Sequence, residues 1–267
     1  MTSGLRSILS DMRSVIVAFS GGVDSAYLAC AATDVLGARA LCVTAESASY
    51  PAHHRALALG VAREFALHHE MIHTGEIERP EYRANPENRC YFCKHELYTR
   101  LTAMARDRGF AYVADGTNAD DARDYRPGRR AAREFGVRSP LDEAGLSKAD
   151  IRVLSREASL PVWDEPASAC LSSRIPYHHE VTPEKLRQIE RGEEALHALG
   201  FRVCRVRHHD SMASVEVAGE DLGRALDPDM YETIVRELRA AGYESVTIDP
   251  RGYRTGSLNE GLLLRQV

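Results

Sequence analysis

The chain has 267 residues, with 44% hydrophobic and 27% charged side chains, a net charge of −5 and a pI near 6.1. That length accommodates one substantial α/β domain plus a smaller second one, and the composition is that of an ordinary soluble globular protein. No apolar run approaches the roughly 20 residues of a spanning helix, and the opening MTSGLRSILSDMRS lacks the apolar core and cleavage site of a secretory signal; the acidic balance counts against a dedicated nucleic-acid binder, so a cytoplasmic protein with neither membrane nor nucleic-acid partner is expected.

In chain order, VIVAFS at 15–20 is a short apolar run ending in glycines, a buried-strand pattern, and 24–37 predicts a helix. ALCVTAES at 40–47 predicts a second buried strand, 53–69 a helix, and MIHTGE a third strand. A polar, proline-containing stretch at 78–94 leads into the helical HELYTRLTAMARDRG, and FAYVADGTN at 110–118 is a strand running into a loop. Strands alternating with helices of this length predict an α/β fold, a parallel sheet with helices on both faces. After SPLDEAGLSKADIRVLSREASLPVWDEP the texture changes. Residues 182–200 read as a capped helix, with Thr182 as N-cap, Pro183 at the first position and Gly200 past the end. FRVCRVRHH (201–209) and ASVEVA (213–218) alternate apolar and polar residues across a short turn, like an antiparallel hairpin. EDLGRALDPDMYETIVRELRAAG then predicts helix and YESVTIDP a last strand. We therefore expect a first domain over 1–176 and a smaller C-terminal α+β domain over 177–267.

The sharpest local signal is Ser20-Gly21-Gly22-Val23-Asp24-Ser25, directly after an apolar strand and directly before a helix. Glycines at such a turn let backbone N–H groups approach an anion, the helix N-terminus adds a favourable dipole, and Ser20 and Ser25 supply hydroxyl donors. The lysine of the kinase-type P-loop and the dinucleotide fingerprint G-x-G-x-x-G are both missing. SGGVDS after VIVAF resembles the PP-loop of the ATP pyrophosphatase superfamily, whose HUP-like fold belongs with the adenine nucleotide alpha hydrolases. The resemblance implies that ATP is split to AMP and pyrophosphate through an adenylated substrate, with Mg²⁺ on the phosphates and Asp24 beside it. Asp115-Gly116-Thr117-Asn118, at the end of a strand, echoes the superfamily's second region. At the carboxyl end of a parallel sheet this loop can face the glycine loop. Of the arginines that follow, Arg123, Arg126, Arg129 and Arg130, we single out Arg126, between Tyr125 and Pro127, for pyrophosphate; a solvated polar loop is the competing reading.

Of six cysteines, Cys30 in an alanine-rich helix and Cys42 in an apolar strand read as small buried hydrophobes. Cys90 and Cys93 form a C-x2-C pair placed in a loop before a helix, a spacing open to metal binding, redox chemistry or coincidence. Cys170 stands in WDEPASACLSSRIP at 163–176. Three thiolates can hold a [4Fe–4S] cluster and leave one iron open to a small ligand such as hydrosulfide. Arg174, four residues past Cys170, is placed to lower that thiol's pKa or to hold a substrate anion.

The pattern W-x-x-P-x-x-A-C-L-x-S-R, with SGGVDS, DGTN and the domain order, resembles the LarE family over essentially the whole chain. These sulfurtransferases mature the nickel-pincer cofactor of lactate racemase. The resemblance implies adenylation of a carboxylate of a pyridinium-biscarboxylate mononucleotide, insertion of sulfur to make a thiocarboxylate, and a homo-oligomer, a hexamer in the family. In that family the residue matching Cys170 gives up its own sulfur and becomes dehydroalanine; members with an extra C-x2-C use a [4Fe–4S] cluster. Cys90 and Cys93 match the second version, so Cys90, Cys93 and Cys170 are expected as cluster ligands, with Cys170 as sulfur donor the open alternative.

Arg205 and Arg207 alternate with valines on a strand and share one face; the family's R-V-R strand implies a clamp on substrate phosphate, and an exposed polar face of a hairpin is the alternative. Cys204 points the other way and is read as packing, while Trp163 is read as a shelter for Cys170 or a core filler. His208 and His209 are a weak metal candidate. The pairs His53–His54, His68–His69 and His178–His179 read as solvated or loop residues, and Glu193 and Glu194 as an exposed helix face. Two rival functions keep the PP-loop chemistry, a tRNA thiolation enzyme and an amide-forming ligase like NAD or GMP synthetase. A nucleotide-sensing module that binds ATP without releasing pyrophosphate is a third.

Overall fold

A computed structural model describes residues 1–123, 127–166, 169–254, 256 and 258. The chain divides into two compact units, Met1–Tyr82 with Glu87–Glu165, and Arg83–Pro86 with Pro166–Val267.

The first unit begins with a helix the sequence reading did not anticipate, α1 (Ser3–Met12), capped by Thr2 and burying Leu5, Leu9 and Met12. Then follow β1 (Val15–Ala18), α2 (Val23–Leu36), β2 (Ala40–Glu46), α3 (Ala52–Glu64), β3 (His69–His73), the short α4 (Pro80–Arg83) that ends at the first crossing, α5 (Arg89–Arg108), β4 (Tyr112–Ala114), α6 (Gly128–Glu134), the short α7 (Pro140–Glu143) and α8 (Lys148–Glu157). The strands form one parallel sheet in the order β3-β2-β1-β4. Both faces are covered, which is why β1 and β2 read as continuous apolar runs. Val15, Val17 and Cys42 pack with α1, α2 and α3 on one face. Ile16, Leu41 and Val43 pack with Tyr98 and Leu101 of α5 and with Ala131 and Ala132 of α6 on the other. This is the expected α/β fold. β3 starts two residues earlier than MIHTGE, because the backbone of His69 and Glu70 pairs with β2 from Cys42 and Val43 onward.

In the second unit α9 (Pro183–Ala198) starts as the sequence indicates, with the Thr182 hydroxyl accepting from Lys185 N and proline at the helix start. β5 (Cys204–His209) and β6 (Met212–Val217) are an antiparallel hairpin, Val206 facing Val215. α10 (Leu222–Ala225) and α11 (Pro228–Ala240) precede β7 (Ser245–Ile248), which pairs parallel with β6, giving a β5-β6-β7 sheet. Its core joins Cys204, Val206, Val215 and Val217 to Leu196, Phe201, Ile234 and Leu238. Residues 83–86 belong here because Asn85, fully buried, donates to the Pro176 carbonyl at 2.7 Å and accepts from His178 N. No helix among the described residues is long and apolar enough to cross a membrane.

Candidate active site

β1 lies between β2 and β4, so the sheet changes direction of growth between β1 and β4. Ligand crevices of open parallel sheets form at that point, outside the strands' carboxyl ends. The two loops leaving there are SGGVDS and DGTN, and they touch. A Cβ on Gly116 would sit 2.9 Å from Ser25 N and 3.1 Å from Ser25 Cα, so only glycine lets the second loop lie against the start of α2. Gly21 is equally constrained: its φ is +72°, and a Cβ there would come within 2.8 Å of Ala58 N in α3. Gly22 is the N-cap of α2 and offers no side chain to cap it. The first turn of α2 therefore has no side-chain cap, an arrangement that suits an anion. The Ser25 hydroxyl sits at 3.1 Å from both the N and Oγ of Ser20 and donates to Gly22 O at 3.0 Å, which sets the loop's curvature.

The DGTN residues organise their own loop. Asp115 is buried, and its carboxylate accepts from Tyr98 Oη (2.7 Å), Ser139 Oγ (2.9 Å) and Thr117 N (3.1 Å). Burial and then the Asp115 charge hold the Tyr98 phenol well above its ordinary pKa, so it stays a neutral donor. Asn118 Oδ1 accepts from the backbone N of Asp120 and of Asp121.

Two cations reach this crevice that the sequence reading did not single out. Lys148, first residue of α8, hydrogen-bonds through Nζ to Asp24 Oδ2, while its backbone N donates to Asp120 Oδ2. A lysine absent from the loop motif itself thus meets its Asp24 from 124 residues away. Only its position at a capped helix start, after Ser147, hints at this. Asp24 Oδ1 is buried with no hydrogen-bond partner among the described residues. A carboxylate oxygen left open beside a phosphate-type loop fits a Mg²⁺ ligand. Arg129 donates to Asp142 at 3.0 Å, and Asp142 N bonds the Thr117 carbonyl. Its Nη1 is buried and has no partner among the described residues. Arg130 is turned away, paired with Glu134 and stacked over Tyr91. Arg126 and the side chain of Arg123 lie outside the described residues.

Cys90 and Cys93 stand in the first turn of α5, which begins at Arg89, and not in the loop expected. Asn88 ends the loop as N-cap, and the run RCYFCKHELY continues the helix. At a spacing of three the two thiols share one helix face, at the positive end of the helix dipole, where anionic ligands are favoured. Cys90 is exposed and Cys93 half-buried. Tyr98, five residues past Cys93 on the same helix, is the donor to Asp115 of the DGTN loop.

In the second unit Cys170 is half-buried at the head of a 3-10 turn, Leu171–Arg174. Arg174 is buried and its donors face the protein. Nε and Nη2 grip Glu193, and Nη1 reaches the carbonyls of Ala169 (2.7 Å) and Cys170 (3.0 Å) and the Ser173 hydroxyl (2.9 Å). Burial alone lowers the guanidinium pKa, but the Glu193 carboxylate beside it carries the balance above the ordinary value. For Glu193 burial raises the pKa, and Arg174 with Arg205 outweighs it to hold the group low. Arg207 donates to Ser173 O and Glu216, both at 2.8 Å. Arg205 lies over the Tyr253 ring and donates to Cys204 O; burial and then Arg174 lower its pKa. Among the described residues Arg174, Arg205 and Arg207 gather here with Glu193 and Glu216, a charged cluster on this side of β5.

Several sequence expectations are corrected. Glu193 is buried, not on an exposed face; only Glu194 is. The buried stripe of α9 runs Leu186, Ile189, Glu193, Leu196, so a carboxylate on the apolar period was the available signal. His69 lies on β3, bonded to Thr44 Oγ1 at 2.8 Å and set edge-on to Phe19. His208 is a core histidine against Tyr243, its pKa pushed down to about 4 by burial first. Trp163 is exposed, with Arg156 stacked on it. Cys204 packs in the core as expected, and burial pushes its pKa up to about 12.

A doubly covered parallel sheet, with a glycine phosphate loop meeting a second loop at its switch point, defines a PP-loop-type α/β protein. No family model matches the chain. It is 34% identical over 264 residues to pyridinium-3,5-bisthiocarboxylic acid mononucleotide synthase of Lactiplantibacillus plantarum, covering 98% of this chain and 95% of that protein. It is also 43% identical over 258 residues to an uncharacterised Synechocystis protein (97% and 96% covered), and 28% identical over 243 residues to one from Methanocaldococcus jannaschii (91% and 92%). The chain belongs to the LarE family of sulfurtransferase enzymes.

Proposed function

We propose that the enzyme adenylates a carboxylate of pyridinium-3,5-biscarboxylate mononucleotide with ATP and replaces the activated oxygen with sulfur. The observation that carries this reading is the contact of the two loops at the switch point, with Lys148, Asp24 and Arg129 at its edge. The end-to-end similarity to a synthase named for the thiocarboxylate product supplies the substrate class. The loop N–H groups and the hydroxyls of Ser20 and Ser25 hold the leaving pyrophosphate while a substrate carboxylate oxygen attacks the α-phosphorus. Lys148 and Arg129 balance the charge that collects on the β- and γ-phosphates. Mg²⁺ on Asp24 would add further neutralisation. A sulfur nucleophile then adds to the acyl carbon, and the C–O bond to AMP breaks. On the second unit, Arg205 and Arg207 bind the mononucleotide's phosphate, and Arg174 holds the Cys170 turn open to it.

For the sulfur, the pairing of Cys90 and Cys93 on one helix face favours a thiolate set completed by Cys170. A [4Fe–4S] cluster on those residues would supply an iron that carries exogenous sulfide. The competing reading makes the Cys170 thiolate itself the nucleophile. Its Cβ–S bond then breaks as the α-proton leaves, yielding the thiocarboxylate and dehydroalanine.

Anaerobic purification with iron and sulfide analysis, then mass spectrometry after turnover with ATP and the mononucleotide, tests both. About four irons per chain with Cys170 intact supports the cluster reading. Loss of one sulfur and two hydrogens at Cys170 supports sacrifice. Pyrophosphate release that depends on tRNA or ammonia and ignores the mononucleotide overturns the substrate assignment.

A further inference from the structure

His53 and His54 open α3, and Glu165 closes the segment after α8; all three belong to the first unit. One donor atom from each lies within 4.8 Å of the other two. His53 Nε2 and Glu165 Oε1 are 3.4 Å apart. A tetrahedral ion with bonds of about 2.0–2.1 Å has ligand–ligand edges of about 3.3–3.4 Å, so an ion fits between these two atoms without moving them apart.

The carboxylate is positioned by its own backbone. Arg152, on α8, donates from Nη2 to Glu165 O (2.8 Å) and from Nη1 to Trp163 O (3.0 Å), while Glu165 N bonds Val162 O (3.1 Å). The histidines are fixed by the first turn of α3 after Pro51. With the His53 side chain 50% exposed and Glu165 19% exposed, the site is open to solvent. A bound ion would keep a water there.

We propose that His53, His54 and Glu165 bind a divalent first-row transition metal ion of the zinc type. Two imidazoles and one carboxylate suit zinc, cobalt, nickel or iron and disfavour magnesium, which takes oxygen ligands. The site is therefore separate from the oxygen position at Asp24. It adjoins the glycine loop, because the His54 ring is 6.5 Å from Tyr50, whose hydroxyl donates to Ser20 O at 3.0 Å. An ion here would tie the start of α3 to residues 162–165, the last stretch of the unit before the chain leaves it.

The test uses the full chain with Cys90, Cys93 and Cys170 replaced by serine, so that thiolates do not compete, in excess Mg²⁺ and without ATP. Equilibrium dialysis is expected to give one Zn²⁺ per chain, and Co²⁺ a visible spectrum free of thiolate charge transfer. His54→Gln and Glu165→Gln abolish saturable binding, and Arg152→Gln weakens it about 10- to 100-fold, the usual effect of removing a group that orients a ligand. All three variants keep the melting temperature of the parent in chelator, which separates ligand loss from unfolding. Absence of saturable Zn²⁺ binding, or binding that His54→Gln and Glu165→Gln leave unchanged, overturns the proposal and shows an ordinary histidine–carboxylate contact. Neither result bears on the sulfur chemistry.

Discussion

Arg174 and Glu193 meet fork to fork, Nε–Oε1 at 2.8 Å and Nη2–Oε2 at 2.9 Å, both buried. Glu193 Oε1 also accepts Val206 N at 3.0 Å, on the unpaired side of the edge strand β5. One carboxylate therefore joins the Cys170 turn, α9 and β5. Glu193→Gln leaves a buried guanidinium uncompensated, and we expect a loss of about 3–5 kcal/mol, read as a lower thermal midpoint of the whole chain. Arg174→Lys cannot reproduce the fork and is expected to destabilise and also to release the carbonyls of Ala169 and Cys170. An unchanged midpoint in Glu193→Gln would show the pair to be dispensable.

Gly116→Ala places a methyl 2.9 Å from the Ser25 amide nitrogen, backbone that cannot step aside. The two loops must part, and ATP affinity should fall at least about tenfold, or 1.4 kcal/mol, by calorimetric titration. Gly136→Ala, remote from these loops, is a control for strain alone, since its φ is +63° with nothing within 4 Å of the added carbon.

Lys148→Met removes the cation bonded to Asp24 while keeping an unbranched chain out to the position of Cε. Pyrophosphate release should slow about 10²- to 10³-fold, the scale of losing one preorganised charged donor, with the fold intact by circular dichroism. Asp24→Asn should instead shift the Mg²⁺ concentration needed for half-maximal rate upward. If Lys148→Met turns over normally, the lysine serves only to anchor α8.

His208 has a folded-state pKa near 4, below the ordinary 6.5. Between those values the unfolded chain binds a proton that the native chain does not, so stability is full above about pH 6.5 and falls as pH drops toward 4. The total is at most about 3–4 kcal/mol at 1.36 kcal/mol per unit. Thermal midpoints across this window should fall less steeply in His208→Gln than in the parent; parallel curves would rule the histidine out as the cause.

The parallel sheet was legible because β1 and the first four residues of β2 are apolar without interruption, as a sheet buried on both faces requires. The strand–glycine–helix order at SGGVDS was legible because the three are contiguous in sequence, and the α9 start because Thr182 and Pro183 act within one turn. α1 escaped notice, since its leucines are spaced for a helix but sit among serines and a glycine, which are poor helix formers. The first turn of α5 was taken for loop because Pro86 and the polar residues beside it mask a helix that starts only three residues later.

Contiguous features were thus readable from residues alone: a glycine loop between strand and helix, a thiol pair at a spacing of three, an arginine strand. Chemistry assembled across distance was not. Lys148 reaches Asp24 over 124 residues, Arg174 spends its donors on Glu193 and on the turn of Cys170, and Arg152 sets Glu165 beside two histidines that read as solvent-facing. A side chain's partners depend on which backbone segments packing brings within about 3 Å, and local propensity carries no record of that.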